Sequence, residues 1–152
     1  MIGSGEIAIR LVLSVLLSSL IGLERELKQH GAGFRTHILV CLGSALIMLT
    51  SLYVFDIYKD VVNLDPARIA SGIITGIGFL CAGTIMRYGG TVKGLTTAAS
   101  LWVTAGVGMA VGCGFYWAAA ITTFIVFVVL FFFGGLEKKV KEKITKGGQD
   151  GV

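Results

Sequence analysis

Two glycine-rich apolar segments, joined by a short basic link, lie in the middle of the chain and restrict the folds open to it. The first extends from Arg68 to Arg87 and the second from Gly94 to Gly114, and eleven of the 22 glycines fall between Gly72 and Gly114. In water, a glycine inside a helix costs about 1 kcal/mol relative to alanine. In lipid, small residues at four-residue spacing instead let two helix backbones approach closely. We therefore expect both segments to be membrane helices that form the packing core.

The expected contact face of each segment consists of small residues one or more helical turns apart. On the first segment these residues are Gly72, Gly76 and Gly83. On the second they are Gly94, Ala98, Ala105, Gly108 and Gly112. Because a large side chain at such a position would hold neighbouring helices apart, these faces are predicted to be helix contacts.

The composition also indicates a membrane protein. The 152 residues are 55% hydrophobic and 14% charged, with a mean hydropathy of +0.85, whereas soluble domains average about 25% charged residues. The net charge is +4, but no basic patch is interleaved with aromatic residues as in a nucleic-acid surface. We therefore expect a lipid bilayer around the chain and no nucleic-acid partner.

Three further apolar segments, residues 7–23, 36–55 and 117–134, bring the expected number of membrane helices to five. The first does not have the pattern of a cleaved signal, since no basic region precedes it and no A-x-A-like site follows. The fifth lacks small residues over most of its length and is expected to face lipid. The predicted fold class is an all-α integral membrane protein, a five-helix bundle over residues 1–136 followed by a basic tail over residues 137–152.

Basic residues are concentrated in three regions between or after these helices. They are Arg25, Lys28 and Arg35 in the first loop, Arg87 and Lys93 in the third loop, and five lysines in the tail. Loops rich in Lys and Arg remain on the cytoplasmic side of a membrane. The pattern predicts an N-terminus outside the cell and a C-terminus, with its basic tail, in the cytoplasm.

This orientation sorts the polar residues at the helix ends into two layers. The inner polar layer, at the cytoplasmic face, consists of Glu24, Arg25, Glu26, Arg35, Arg87, Lys93, Thr96, Thr97 and Ser100. The outer polar layer consists of Glu6, Arg10, Asp56, Asp60, Asp65 and Arg68. An arginine in hydrocarbon is costly unless it is paired or reaches the interface, and Glu6 lies one helical turn before Arg10.

The inner polar layer allows two interpretations. In the first, it is a vestibule for an ion or ligand, in which Glu24 holds a cation or pairs with Arg35 or Arg87, and the hydroxyl groups of helix four line a path. In the second, ion pairs join the first and third loops, and the hydroxyl groups bond to carbonyls of their own helix.

The carboxylates do not by themselves form a metal site. Magnesium prefers one or two carboxylates and retained waters, but Glu24 and Glu26 are two residues apart and do not face each other on a helix. A magnesium site would need a group from another helix or subunit, so Mg²⁺ is possible and no metal is assigned. With no metal-ligand cluster, nucleophile with a base or phosphate-binding loop in the sequence, we expect neither a cofactor nor enzyme activity. The cysteines, Cys41, Cys81 and Cys113, are predicted to be buried thiols.

Four motifs together resemble a known family. GLERE at Gly22–Glu26 is followed by GFRTHILVCLGSALIML at Gly33–Leu49, RIASGIITGIGFLCAGTIM at Arg68–Met86 and VKGLTTAASLWVTAGVGMAVGCGFY at Val92–Tyr116. In this order and spacing they resemble the MgtC/SapB family of bacterial inner-membrane proteins. The resemblance covers residues 10–133, and the chain is similar to the short form that lacks a soluble domain after the fifth helix.

The resemblance implies a role in adaptation to magnesium limitation and in survival of pathogens inside host cells. It also implies that a partner is the proton-translocating ATP synthase, which such proteins restrain as regulators rather than acting as magnesium pumps. Two function classes therefore remain. One is a membrane regulator that binds other membrane proteins through small-residue helix faces, and the other is an oligomeric transporter or channel. Because three helices offer small-residue faces, we also expect a homodimer.

Overall fold

The computed structural model describes residues 2–133, and within them five helices are long and apolar enough to cross a membrane. They are α1 (Ser4–Leu27), α2 (Phe34–Tyr58), α3 (Pro66–Thr84), α4 (Leu95–Gly112) and α5 (Tyr116–Val128), which continues as a π-helical turn over Val129–Phe133. The predicted five-helix membrane fold is confirmed. The predicted tail, residues 137–152, lies outside the described residues.

Helix α4 is the centre of the bundle, and it contacts each of the other four helices. Of its membrane-spanning residues, 56% are buried, compared with 17–28% for the other helices. Helix α3 packs mainly on α2 and α4 and is largely exposed. One face of α3 packs on α4, where Ile73, Ile77 and Cys81 form a buried cluster with Ala98, Leu101 and Ala105. The expectation that helices three and four together form the core therefore holds for α4 and for this face of α3.

The glycines of α4 bring its backbone against α2. A Cβ atom at Gly108 would overlap the carbonyl oxygen of Cys41, and one at Gly112 would lie 2.7 Å from the carbonyl oxygen of Ala45. Only hydrogen fits at these two positions, so α2 and α4 are in backbone contact.

The glycines of α3 have a different environment. A Cβ at Gly72, Gly76 or Gly83 would have no atom within 4 Å, and all three residues are exposed. Among the described residues, these three glycines make no close contact with another helix. This differs from the contact face expected from their spacing. Spacing alone cannot tell a face that contacts the same chain from a face directed outward.

A small β-hairpin replaces the predicted basic link between α3 and α4. Strand β1 (Met86–Tyr88) pairs antiparallel with β2 (Thr91–Lys93). The two turn residues, Gly89 and Gly90, have φ values of 49° and 87°, a conformation that only glycine adopts readily. The Gly-Gly pair was the available sequence signal for this hairpin, and it shortens α3 to end at Thr84.

The four-residue spacing of Ser14, Ser18 and Gly22 on α1 predicts a helix-contact face, and this face is buried. Ser14, Ser18 and Gly22 all lie in the interior, and the hydroxyl of Ser18 donates to the carbonyl of Ser14 at 2.7 Å. Cys41 and Cys81 are buried, but Cys113 is exposed because it follows the last residue of α4. The prediction of a buried thiol is therefore wrong for Cys113.

The different environments of Gly108 and Gly76 give a direct test. Gly108→Leu should separate α2 from α4 and destabilise the chain by about 3 kcal/mol, whereas Gly76→Leu should leave the free energy of unfolding nearly unchanged when the chain is diluted in detergent to a monomer. Unfolding in mixed micelles, followed by tryptophan fluorescence, measures both. Equal destabilisation by the two variants would contradict the packing of α4 on α2 described above.

Candidate functional site

The C-terminal end of α1 contributes a buried ion pair to the inner polar layer. The Glu24 side chain is 4% exposed, and its Oε1 lies 2.7 Å from the Nζ of Lys28, one turn later. Lys28 also donates to the carbonyls of Leu130 at 2.8 Å and Phe131 at 3.2 Å. The ammonium group therefore links α1 to the π-helical turn that follows α5, and it neutralises Glu24.

Arg25 connects α1 to the central helix. This residue is 2% exposed, and its Nη2 donates to Thr97 Oγ1 on α4 at 3.1 Å, while Nη1 lies 3.9 Å from Glu24 Oε2. The two carboxylate oxygens of Glu24 accept no well-oriented hydrogen bond from another described residue. The Nε atom of Arg25 likewise donates none. The Arg25 contact brings together two members of the inner polar layer, one from the first loop region and one from α4.

Other members of this layer lie apart from Glu24. Arg35 and Arg87 are exposed and form no ion pair with another described residue, and Thr96 is exposed as well. The pairing of Glu24 with Arg35 or Arg87 is therefore not observed. The two regions are instead linked by the hydrogen bond between Arg25 and Thr97.

Glu26 has a separate structural task. Its Oε2 accepts a hydrogen bond from the backbone N–H of Phe34 at 3.0 Å. Phe34 is the first residue of α2, so the carboxylate satisfies one of the unpaired N–H groups at that helix terminus and opposes its positive dipole end. Glu24 and Glu26 thus face different neighbours, as their spacing of two predicts.

His37, which the sequence analysis did not single out, lies fully buried beside this layer, with 0% exposure. Its Nδ1 is 2.8 Å from the carbonyl oxygen of Gly33, and its Nε2 is 3.1 Å from the Oγ of Ser100. Ser100 Oγ in turn lies 2.9 Å from the carbonyl oxygen of Thr97, within hydrogen-bonding distance. The available signal was the helical spacing of His37 with Cys41 and Ser44, which lie on the same buried face of α2.

A polar cavity of about 710 Å³ opens at the start of α2. Its charged and titratable lining residues are Glu26, His30 and Arg35. Burial and the positive charge of Arg25 lower the pKa of His30, so its imidazole is neutral at pH 7. The cavity is therefore lined by one negative side chain, Glu26, and one positive side chain, Arg35.

The outer polar layer is centred on Arg10, which is 7% exposed. Its Nη1 donates to the carbonyl of Gly112 at 2.6 Å, its Nε donates to the hydroxyl of Tyr116 at 3.1 Å, and its Nη2 pairs with Glu6. Arginine thereby satisfies a terminal carbonyl of α4 and holds α1 against α5.

The remaining residues of that layer do not join Arg10. The Asp65 side chain accepts from the backbone N–H of Ala67 at 2.9 Å and caps the N-terminus of α3. Arg68, one turn into α3, is exposed and has no ion pair with another described residue. The outer layer therefore consists of separate contacts at different helix ends.

These arrangements limit the chemistry of the inner layer. Glu24 already has an ammonium group at 2.7 Å and a guanidinium group at 3.9 Å. Residues 2–133 hold no group of three His, Cys, Asp or Glu side chains placed to bind a metal ion. A cation could reach the Glu24 carboxylate only by displacing Lys28, whose departure would also free the carbonyls of Leu130 and Phe131.

The contacts of Arg10 predict a stabilising role that can be measured. Arg10→Ala should remove three hydrogen-bonding contacts and lower the free energy of unfolding in detergent by about 2 kcal/mol. Arg68→Ala, which removes an exposed arginine without an ion pair among the described residues, serves as the control and should change it by less than about 0.5 kcal/mol. Equal melting temperatures for Arg10→Ala and the unmodified chain would contradict this role.

The chain is similar to several bacterial proteins of known sequence. It is 48% identical over 115 residues to the Escherichia coli (strain K12) protein named "Putative magnesium transporter YhiD", covering 74% of this chain and 54% of that protein. It is 44% identical over 118 residues to "Protein MgtC" of Salmonella typhimurium, covering 78% of this chain and 48% of that protein. An uncharacterized protein of Haemophilus influenzae is 38% identical over 123 residues, which are 78% of this chain and 52% of that protein.

The chain therefore spans about half the length of these relatives. No solved structure matches it. The MgtC family matches residues 11–139, which include all five helices except the first turns of α1. With a family match over most of its length and five helices that can span a bilayer, the chain is a multi-pass membrane protein that belongs to the MgtC family.

Proposed function

We propose that this protein is a non-enzymatic regulator of the bacterial inner membrane, linked to magnesium homeostasis, that acts by binding other membrane helices. The link to magnesium rests on the family and on the name of the relative from Escherichia coli. The mode of action rests on the glycine face of α3, where a Cβ atom at Gly72 or Gly76 would meet none of the other described residues.

The exposed face of α3 carries this proposal. Gly72 and Gly76 of α3, together with Gly43 of α2, line an apolar groove of about 440 Å³, and a Cβ at any of the three would meet no atom within 4 Å. In lipid, helices associate through close packing of backbones at small residues. An outward glycine face weakens the α3 helix and adds no close contact with the other described residues. We therefore assign this face to contact with a helix of another protein molecule.

A second copy of the chain is the simplest occupant, since two-fold dimers are the commonest closed assemblies. In such a homodimer the α3 helices would cross at Gly72 and Gly76. By family resemblance, the same face would serve a helix of another membrane protein such as the ATP synthase. Both contacts would use the surface left free by the packing of α1, α2 and α4.

The alternative is an oligomeric ion or solute transporter, and the state of Glu24 favours it. Glu24 is a buried carboxylate that pairs with Lys28 but accepts no well-oriented hydrogen bond from the described residues, and buried charged groups often mark ion pathways in membrane proteins. In this alternative a cation exchanges with the Lys28 ammonium at Glu24, and Thr97 and Ser100 line the path. Mg²⁺ is the first ion to test because of the relative's name.

Flux through purified protein separates the two functions. Proteoliposomes with an internal Mg²⁺ indicator should show no protein-dependent Mg²⁺ entry if the chain is a regulator, because Lys28 blocks the carboxylate. A flux that is abolished by Glu24→Gln and retained in Glu26→Gln would refute the regulator and establish the transporter. Glu26→Gln is the matched control because it keeps a hydrogen-bond acceptor for Phe34.

Disulfide cross-linking tests the α3 contact. In a Cys113→Ser background, which removes the exposed native thiol, Gly76→Cys should form a cross-linked dimer in native membranes upon mild oxidation. Ile74→Cys, about 200° around the helix, should form much less. Equal cross-linking at both positions would exclude a specific α3 dimer, and cross-links of Gly76→Cys to another protein alone would favour the heterologous contact.

A further inference from the structure

We propose that His37 is a proton-binding site built into the contact between α2 and α4. The residue lies in one of the motifs shared with the family, but the proposed function does not use it. The inference rests on the hydrogen-bond capacity of three groups, His37, Ser100 and the carbonyl of Gly33, and it holds for a regulator and for a transporter alike.

The first step concerns the Nδ1 atom of the ring. It lies 2.8 Å from the carbonyl oxygen of Gly33. A carbonyl oxygen only accepts hydrogen bonds, so Nδ1 must carry a proton in every protonation state of this geometry. The neutral ring is therefore the form with hydrogen on Nδ1, and Nε2 has a free lone pair.

The second step concerns the Ser100 hydroxyl, which has one hydrogen and two nearby acceptors. Its Oγ is 3.1 Å from His37 Nε2 and 2.9 Å from the carbonyl oxygen of Thr97. When His37 is neutral, the hydroxyl hydrogen points to Nε2. When the ring takes up a proton at Nε2, that N–H donates to Oγ, and the hydroxyl hydrogen turns to Thr97. Both states satisfy every ring nitrogen without moving a heavy atom.

The third step concerns the charges around the ring. Burial disfavours a charged imidazole, and among the charged side chains of α1 Arg25 opposes that charge while Glu24 favours it. From α4, the buried and uncharged hydroxyls of Thr97 and Ser100 lie at this level, and Ser100 contacts the ring. On α2 itself, the buried Cys41 thiol lies one turn beyond His37, and Arg35 is exposed on another face. Among the described residues the Glu24 carboxylate favours an imidazolium at this position, and a protonated ring would share this carboxylate with Lys28, which already pairs with it.

A route for the proton begins at the polar cavity beside α2. Gly33, whose carbonyl holds Nδ1, lines that cavity together with Phe34 and Thr36. The cavity therefore approaches the ring on its Nδ1 side, whereas the proton is taken up at Nε2, which contacts Ser100, so uptake requires a transient opening of the contacts around the ring. Proton uptake would change the direction of the Ser100 hydroxyl next to Thr97, the residue that also binds Arg25, and so transmit pH to the inner polar layer.

Nitrogen-15 NMR of the full chain in lipid nanodiscs tests this assignment. His30→Gln leaves His37 as the only histidine, so its two ring nitrogens can be observed without overlap. At pH 8 the ring should be neutral with hydrogen on Nδ1, and acidification should protonate Nε2 reversibly while tryptophan fluorescence stays constant. A neutral ring with hydrogen on Nε2, or a ring that stays neutral until the fold is lost, would overturn the proposal.

Two further variants identify the role of Ser100. Ser100→Ala removes the acceptor of the Nε2 proton, and because hydrogen bonds to charged groups are the stronger ones, the titration midpoint should fall by about one pH unit. Thr104→Val removes a buried hydroxyl one turn further along α4, which donates to the Ser100 carbonyl and not to the ring, and should leave the midpoint unchanged. Equal midpoints in both variants would overturn the switch. If Ser100→Ala does not fold, the position of the hydrogen in the His30→Gln chain decides the proposal.

Discussion

The backbone contact between α2 and α4 is the feature on which the rest of the structure depends. In a bilayer no hydrophobic force draws helices together, so their association relies on close packing and on hydrogen bonds between them. Gly108 and Gly112 leave room for α2 along two turns of α4. This contact brings Ser100 to His37 and holds α4 in the centre, where every other helix can reach it.

Two buried arginines on α1 then attach this helix to the two ends of α4. Arg10 donates to the carbonyl of Gly112, at the C-terminal end of α4, and Arg25 donates to Thr97 in its first turn. Because a buried guanidinium is costly when its donors are unsatisfied, each residue stabilises only the arrangement in which α1 and α4 are antiparallel neighbours at this register. The arginines therefore specify helix position as well as contributing stability.

Helices α1, α2 and α4 form one closely packed group, whereas α3 has an exposed glycine face. Helices α1, α2 and α4 share the glycine contacts and the buried polar groups, while Gly72, Gly76 and Gly83 of α3 leave room for a neighbour that residues 2–133 do not supply. The buried charges of the inner polar layer, Glu24 and Arg25, lie in this closely packed group, as does His37. A function that depends on partners would use α3, and a response to ions or protons would arise among α1, α2 and α4, so the two can coexist in one chain.

The sequence by itself determined the number of membrane helices, because apolar runs of sufficient length leave few other stable structures in lipid. It also identified the buried face of α1 through Ser14, Ser18 and Gly22, and it separated Glu24 from Glu26 by helical geometry. What only the tertiary structure decided is which neighbour each face meets. Gly76 and Gly108 have the same local pattern, yet one is exposed and the other touches Cys41, since contact depends on where distant segments pack. For the same reason Glu24 pairs with Lys28 instead of Arg35 or Arg87. The contact between His37 and Ser100 likewise depends on the packing of α4 against α2, which the local sequence does not specify.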